Sequence, residues 1–242
     1  MLVIGVAAVF AAAILLALLH KAPSCTDGIQ NEGEQGIDCG GPCPYLCTAL
    51  ERAPTVLFTK PLTDNAGRTD VIAEVENENI AAAAKDVPYT VTLYGADNLV
   101  IQKASGTFEL PPASKVPLYI PAVPSGKQKA TKAFLEIDPA SVAWYSLPTD
   151  PRIVPDVTDV VLGGASSTPR VDATLSNQSV TPLADVTVVV LVHDVNGDVI
   201  TASKTVVQSI PPHGQAKAVF TWNDPFSAPA GSVEVIPVIP LP

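Results

Sequence analysis

Two hydrophobic patterns divide the chain. Leu2–Leu19 (LVIGVAAVFAAAILLALL) runs 18 residues without a polar side chain. Wound as a helix it would reach roughly 27 Å at about 1.5 Å per residue, close to a hydrocarbon core of about 30 Å. Beyond residue 50 the apolar residues fall instead into short runs, often alternating with polar ones and separated by Pro, Gly, Asn and Asp. A period of two places successive side chains on opposite faces of a half-buried strand.

The alternating part is duplicated. In TDVIAEVENEN and PRVDATLSNQS, Val71, Ala73, Val75 and Asn77 match Val171, Ala173, Leu175 and Asn177 at an offset of 100. The first three of each set share one face, the side expected to meet a core. The opposite face of the second copy, Asp172, Thr174 and Ser176, is polar, whereas Ile72 breaks that pattern in the first. DVPYTVTLYG from Asp86 then matches DVTVVVLVHD from Asp185 at an offset of 99. Each leads into a turn, Ala96-Asp97-Asn98 or Val195-Asn196-Gly197, and Asn-Gly is a strong hairpin signal. Leu110-Pro111-Pro112 and Ile210-Pro211-Pro212 follow in register.

Strands are expected near Thr55–Thr59 and Val157–Leu162, over Lys115–Ile120 and Gln215–Trp222, and over Thr131–Ile137 and Ser232–Ile236. Six or seven short strands per copy, with turn signals every 8–12 residues or so, predict a mainly β protein of two tandem antiparallel sandwiches. The divisions expected are an anchor or signal segment at 1–21, a cysteine-rich module at 22–50, a first sandwich at 51–140, a Pro-rich linker at 141–155 and a second sandwich at 156–242. The prolines make that linker a stiff one.

The N-terminal segment fits two roles. Its length suits a single-pass anchor with residues 2–19 in the bilayer and the C-terminal domains outside. Alternatively Ala22-Pro23-Ser24 supplies small residues for cleavage near Ser24 and release of the rest. Lys21 follows the run and no basic residue precedes it, a charge bias that opposes the first orientation. One Lys is a small bias, and large domains translocate regardless of it.

All four cysteines, Cys25, Cys39, Cys43 and Cys47, lie within 23 residues, spaced C-x13-C-x3-C-x3-C. Zinc sites favour paired knuckles that this spacing lacks. Disulfides are the default for a small exported segment too short to build an apolar core, and three connectivities are open. Asp27, Asn31, Glu34 and Asp38 set side-chain oxygens about four residues apart, a donor set that suits Ca²⁺; the same residue types also cap turns. Ca²⁺ is the one cofactor the sequence brings into question.

A formal charge of −10 and a pI near 4.6 lack the basic footprint that nucleic-acid binding requires. No phosphate-cradling Gly loop is present, and no nucleophile–base pairing can be assembled around the three histidines, His20, His193 and His213. His193 occupies the strand position of Tyr94, and His213 sits in a Pro-Pro-His-Gly turn. Asp194, Asn196 and Asp198 open like an EF-hand loop, but Val199 and Thr205 stand where Gly and Glu are needed. Asn177-Gln178-Ser179 is a glycosylation sequon. Trp144, Tyr145 and Trp222 are candidates for an aromatic ligand platform or for interdomain packing.

The residues Cys25, Asp27, Gly28, Asn31, Glu34, Gly36, Asp38, Cys39, Gly40, Gly41 and Cys43 resemble a cysteine-rich module, roughly CxDGxxNxxExGxDCGGxCxxC, of surface proteins from uncultured bacterial and archaeal lineages. Here three residues rather than two separate Cys43 from Cys47. The duplicated part resembles the FxLYD and CARDB-like immunoglobulin-like envelope domains. Their signature is split between Leu93-Tyr94 in the first copy and Asp194 in the second. The resemblance implies spacers and interaction modules without catalytic residues. The expectation is a non-enzymatic, membrane-anchored envelope protein with a β-sandwich stalk. Alternatives are a pilus-like filament subunit assembled through the N-terminal helix, and a surface module binding a glycan, a peptide or another envelope protein.

Overall fold

The structure is a computed structural model and describes residues 24–31, 33–65, 67–124 and 128–242. The helix expected over residues 2–19 lies outside the described residues. Among the described residues no helix is long and apolar enough to cross a membrane. The chain divides into two compact units, Met1–Cys47 and Thr48–Pro242.

The larger unit holds two antiparallel β-sandwiches of the same topology. In the first, β1 (Thr55–Thr63), β2 (Thr69–Asn77) and β5 (Ser114–Val123) form one sheet in the order β1-β2-β5. Strands β3 (Ala82–Tyr94), β4 (Val100–Leu110) and β6 (Lys132–Glu136) form the other, ordered β4-β3-β6. A short strand β7 (Trp144–Ser146) also pairs with β3. The second sandwich repeats the scheme. Strands β8 (Asp156–Gly163), β9 (Arg170–Ser176) and β12 (Gln215–Thr221) give β12-β9-β8. Strands β10 (Leu183–Asp194), β11 (Val199–Ile210) and β13 (Ala230–Val238) give β11-β10-β13.

Alternation sets the cores as the sequence pattern requires. Val71, Ala73 and Val75 on β2, and Val171, Ala173 and Leu175 on β9, are all fully buried. In the second sandwich those of β9 meet Val186, Val188, Val190 and Val192 of β10, with Ile210, Ala218 and Phe220 closing the cluster.

One boundary moves. Trp144–Ser146 falls inside the stretch expected to be linker, yet it pairs with Ala82–Ala84. Val142 and Trp144 are each 1% exposed, and Leu147 donates its N–H to the Ala81 carbonyl at 2.7 Å. The first sandwich therefore runs to about residue 147. An apolar anchor the size of Trp outweighs the loop-forming composition around it.

The two sandwiches pack face to face. The outer face of β1-β2-β5 contributes Ile72, Phe58, Leu62 and Tyr119, and that of β11-β10-β13 contributes Val189, Leu191, Val199 and Ala202. Ile72, which breaks the alternation of β2, is fully buried in this second cluster. The unbroken apolar run of β10 has the same cause, since one face serves its own core and the other serves the joint. The repeat-equivalent positions on the faces turned away from the joint carry Asp172 instead of Ile72, and Thr90 and Thr92 instead of Val189 and Leu191. At Asp172 and Thr90, both partly exposed, the copies have diverged toward polar side chains where the joint does not cover them; Thr92 is instead buried, 1% exposed, and its hydroxyl makes no hydrogen bond among the described residues.

The chain end fastens the joint again. Arg152 binds Asp150 through three side-chain hydrogen bonds of 2.7–3.0 Å and donates to the Ile239 carbonyl at 2.9 Å. Leu241 is 6% exposed, and its N–H is donated to the Glu109 carboxylate of β4.

Candidate functional site

The cysteine module settles its own connectivity. Cys25 pairs with Cys43 and Cys39 with Cys47, so the two bridges interleave along the chain. Gly36 lies where a Cβ would come within 2.9 Å of both sulfurs of the second bridge. Gly41, at φ +58°, would drive a Cβ to 2.2 Å from the Gly33 carbonyl oxygen. Neither position has room for a side chain, which accounts for two of the motif's glycines.

The four proposed Ca²⁺ ligands do come together, in one hydrogen-bonded network. Glu34, 8% exposed, accepts from the backbone N–H groups of Asn31 and Asp38 through Oε2 at 3.3 and 3.2 Å. Asp38 takes the Gly28 N–H on its carboxylate at 3.0 and 3.1 Å. Asp27 accepts from the Ile29 N–H at 2.9 Å and from Asn31 Nδ2 at 3.0 Å. These oxygens tie adjacent turns to each other, the turn-capping role of Asp and Asn. The other Glu34 oxygen lies 3.2 Å from Cys43 Sγ, a contact rather than a hydrogen bond because that sulfur, being in a disulfide, carries no proton. Cys25, Glu34 and Cys43 also cluster tightly enough to resemble a metal site. With the two sulfurs bonded to each other, only the carboxylate could bind an ion.

In the larger unit, two buried asparagines each hold the loop after β2 or β9 to the Pro-Pro turn. Asn77 Nδ2 donates to the carbonyls of Ala82 at 2.9 Å and Pro111 at 2.7 Å, while its Oδ1 accepts from the Asn79 N–H at 3.0 Å. Asn177 Nδ2 donates to Thr181 at 2.7 Å and Pro211 at 3.2 Å, and its Oδ1 accepts from the Ser179 N–H at 3.0 Å. Asn177 is 1% exposed, so the acceptor nitrogen of the sequon lies inside the sandwich. Asp194 accepts from the N–H groups of Asn196 and Asp198 at 2.8 and 3.0 Å, which explains the EF-hand-like spacing as a hairpin turn.

The aromatic candidates separate. Trp144 is buried within the first sandwich, and the hydroxyl of Tyr145 beside it is buried and makes no hydrogen bond among the described residues. Burial pushes the Tyr145 phenol pKa up, with Glu109 adding to the effect. Trp222 alone faces a cleft, and its partner is Phe226, edge to face at 5.2 Å and 84°. Sequence reasoning missed Phe226; the signal was its place four residues after Trp222 in a Pro- and Ser-containing loop.

Titratable groups also gather at the joint. His193 Nε2 lies 3.7 Å from Glu234 Oε2, and Nδ1 lies 3.1 Å from the Gly197 carbonyl oxygen. Glu74, on the opposing sheet, has its carboxyl pushed above the usual carboxylate range, first by burial and then by Glu234. Tyr119 donates to Asp70 at 2.5 Å, and burial together with that bond pushes the phenol well above its usual range.

No family model matches the chain, and no curated protein matches it. Among solved structures, red sea bream transglutaminase is similar over 78% of this chain and 32% of its own, with 16% identity and a TM-score of 0.25. The exo-chitosanase CsxA of Amycolatopsis orientalis is similar over 74% and 26%, with 12% identity and a TM-score of 0.19. The chain spans about a third of the first protein and about a quarter of the second. At scores this low, neither likeness carries an argument.

Proposed function

We propose that the protein is a non-enzymatic component of a cell envelope, held in the bilayer by residues 2–19, with its tandem β-sandwiches outside as a spacer or interaction stalk. The observation that carries this reading is the pairing of all four cysteines into two disulfides directly after the apolar run. Disulfides persist where the environment is oxidising, which favours an outer side for the C-terminal domains. The motif residues of the cysteine module bond to one another, which suits a stapled collar. The immunoglobulin-like resemblance of the sandwiches, to FxLYD and CARDB-like domains, fits a load-bearing spacer. The packed joint gives that spacer a fixed angle.

Fractionation of the full chain tests the proposal. The anchored form resists carbonate extraction and is released only by detergent. Protease added to intact cells cuts it within 24–242, and mass spectrometry finds residues 1–24 retained. A soluble product beginning near Cys25 would overturn the anchor in favour of secretion. Filaments that sediment without lipid would favour the pilus-like alternative.

A further inference from the structure

The two sandwiches enclose a cleft of about 640 Å³ at one end of their joint, within the range of roughly 300–1,000 Å³ typical of small-ligand sites. One wall comes from the β1–β2 hairpin, residues 60–65, 68 and 70. The other is the start of β11, residues 200–203, together with the loop 221–227 between β12 and β13.

The charges of the lining cancel. Lys60, Arg68 and Lys129 give +3, and Asp64, Asp70 and Asp224 give −3. Several of these are also engaged with the protein itself. Asp70 is held by Tyr119 and by the Ala122 N–H at 2.7 Å, Arg68 reaches Asp64 at 3.5 Å, and Lys60 donates to the Val199 carbonyl. Trp222 and Phe226, half-buried and packed on one side against the core of the second sandwich, line the cleft beside Asn223 and Asp224, whose side chains have no hydrogen-bond or ion-pair partner among the described residues.

We propose that this cleft binds a neutral oligosaccharide, with the ring of Trp222, braced edge to face by Phe226, taking the apolar face of a sugar ring and Asn223 and Asp224 its hydroxyls. One indole ring next to amide and carboxylate groups matches the two sides of a pyranose, C–H on one and O–H around the edge. A charge-balanced wall gives a charged ligand no advantage over a neutral one. The rival occupant is an extended peptide, because β1 and β11 are both edge strands and could accept an added strand. The Lys60 side chain already spans from β1 to the Val199 carbonyl of β11, filling the gap a strand would have to enter. The proposal is independent of membrane anchorage, so its failure leaves the envelope-stalk reading intact.

The chain has two tryptophans, and only Trp222 faces the cleft, which makes it a built-in reporter. Full-length protein titrated with neutral trisaccharides (cellotriose, chitotriose, maltotriose, mannotriose) to about 10 mM, a weak-site concentration, is followed by tryptophan emission and acrylamide quenching. At least one saccharide protects the exposed emission saturably. In calorimetry, which does not depend on the reporter, Trp222→Ala abolishes binding with the melting temperature preserved, and Asp224→Asn weakens it about tenfold, the loss of a charge-assisted hydrogen bond. The proposal is overturned if none of the four protects the emission, if Trp222→Ala binds the saccharide as tightly as the parent, or if an extended peptide displaces the saccharide while binding more tightly.

Discussion

The amide nitrogen of Asn77 lies 2.7 Å from the carbonyl oxygen of Pro111. Asn177 and Pro211 repeat the contact at 3.2 Å in the second sandwich. Two features that look separate in the sequence, a strand-ending Asn and a Pro-Pro step 34 residues later, are therefore one fastening. Asn77→Ala leaves buried carbonyls without donors, at a cost of about 2 kcal/mol or more. The melting temperature should fall by roughly 4–8 °C, measured by calorimetry. Asn77→Asp should do no better, because a carboxylate accepts but cannot donate. An unchanged melt would show that the Asn is not a fastening.

Ile72 decides how the sandwiches sit. Ile72→Asp writes into the first copy the residue the second carries at the equivalent, half-exposed position. A carboxylate there would be buried opposite Lys60, whose ammonium is already engaged with the Val199 carbonyl, a cost of several kcal/mol. The sandwiches should separate, raising the radius of gyration in small-angle scattering and opening residues 147–155 to protease. The reciprocal change, Asp172→Ile, removes a surface ion pair with Arg170 and should leave the melting temperature almost unchanged, since exposed pairs contribute little.

The cysteine module should respond to reduction on its own. Loop-closure entropy assigns about 3 kcal/mol to the Cys25–Cys43 bridge and about 2.5 kcal/mol to Cys39–Cys47. A segment with so little apolar area has nothing comparable to replace them. Dithiothreitol should abolish amide protection in residues 24–47 in hydrogen exchange and leave the melting of residues 48–242 within about 1 °C. Protection that survives full reduction would contradict this.

Acid should tighten the joint before it harms the protein. Glu74 faces Glu234 and His193 across the interface, with Lys115 and Glu76 beside it on its own sheet. Its carboxyl titrates above its ordinary value of 4.5 in the folded protein. The packed state therefore takes up a proton more readily than the unfolded chain, so this group's contribution is full below 4.5 and lost as pH rises through the folded value. Asp150 opposes it at lower pH. Its hydrogen bonds to Arg152 hold its carboxyl below 3.8, and that stability is present above 3.8 and lost on further acidification. Glu74→Gln should raise neutral-pH stability and flatten the pH profile just above 4.5. A steeper profile in the variant would refute the assignment.

Strand order and core faces were legible because period-two alternation and turn residues are local signals. Ile72 was legible as an anomaly, but its partner is another sandwich, and no local pattern names a partner. Trp144 was taken for linker because prolines on both sides outvoted one buried ring. In the cysteine module the residues that matter could be picked out, yet their partners could not. Spacing leaves three pairings open, and whether four oxygens serve a cation or the backbone depends on where the amides point.

The joint between the sandwiches has a further consequence. Its two faces belong to one chain, tethered by the Pro-rich segment that ends the first sandwich, so their closure is intramolecular. A short tether sets an effective concentration on the order of millimolar. Faces too weak to bring two separate proteins together at cellular concentrations can thus stay shut here. The joint can therefore hold its angle, and the shape of the cleft beside it, with less buried area than a complex of two separate proteins would need.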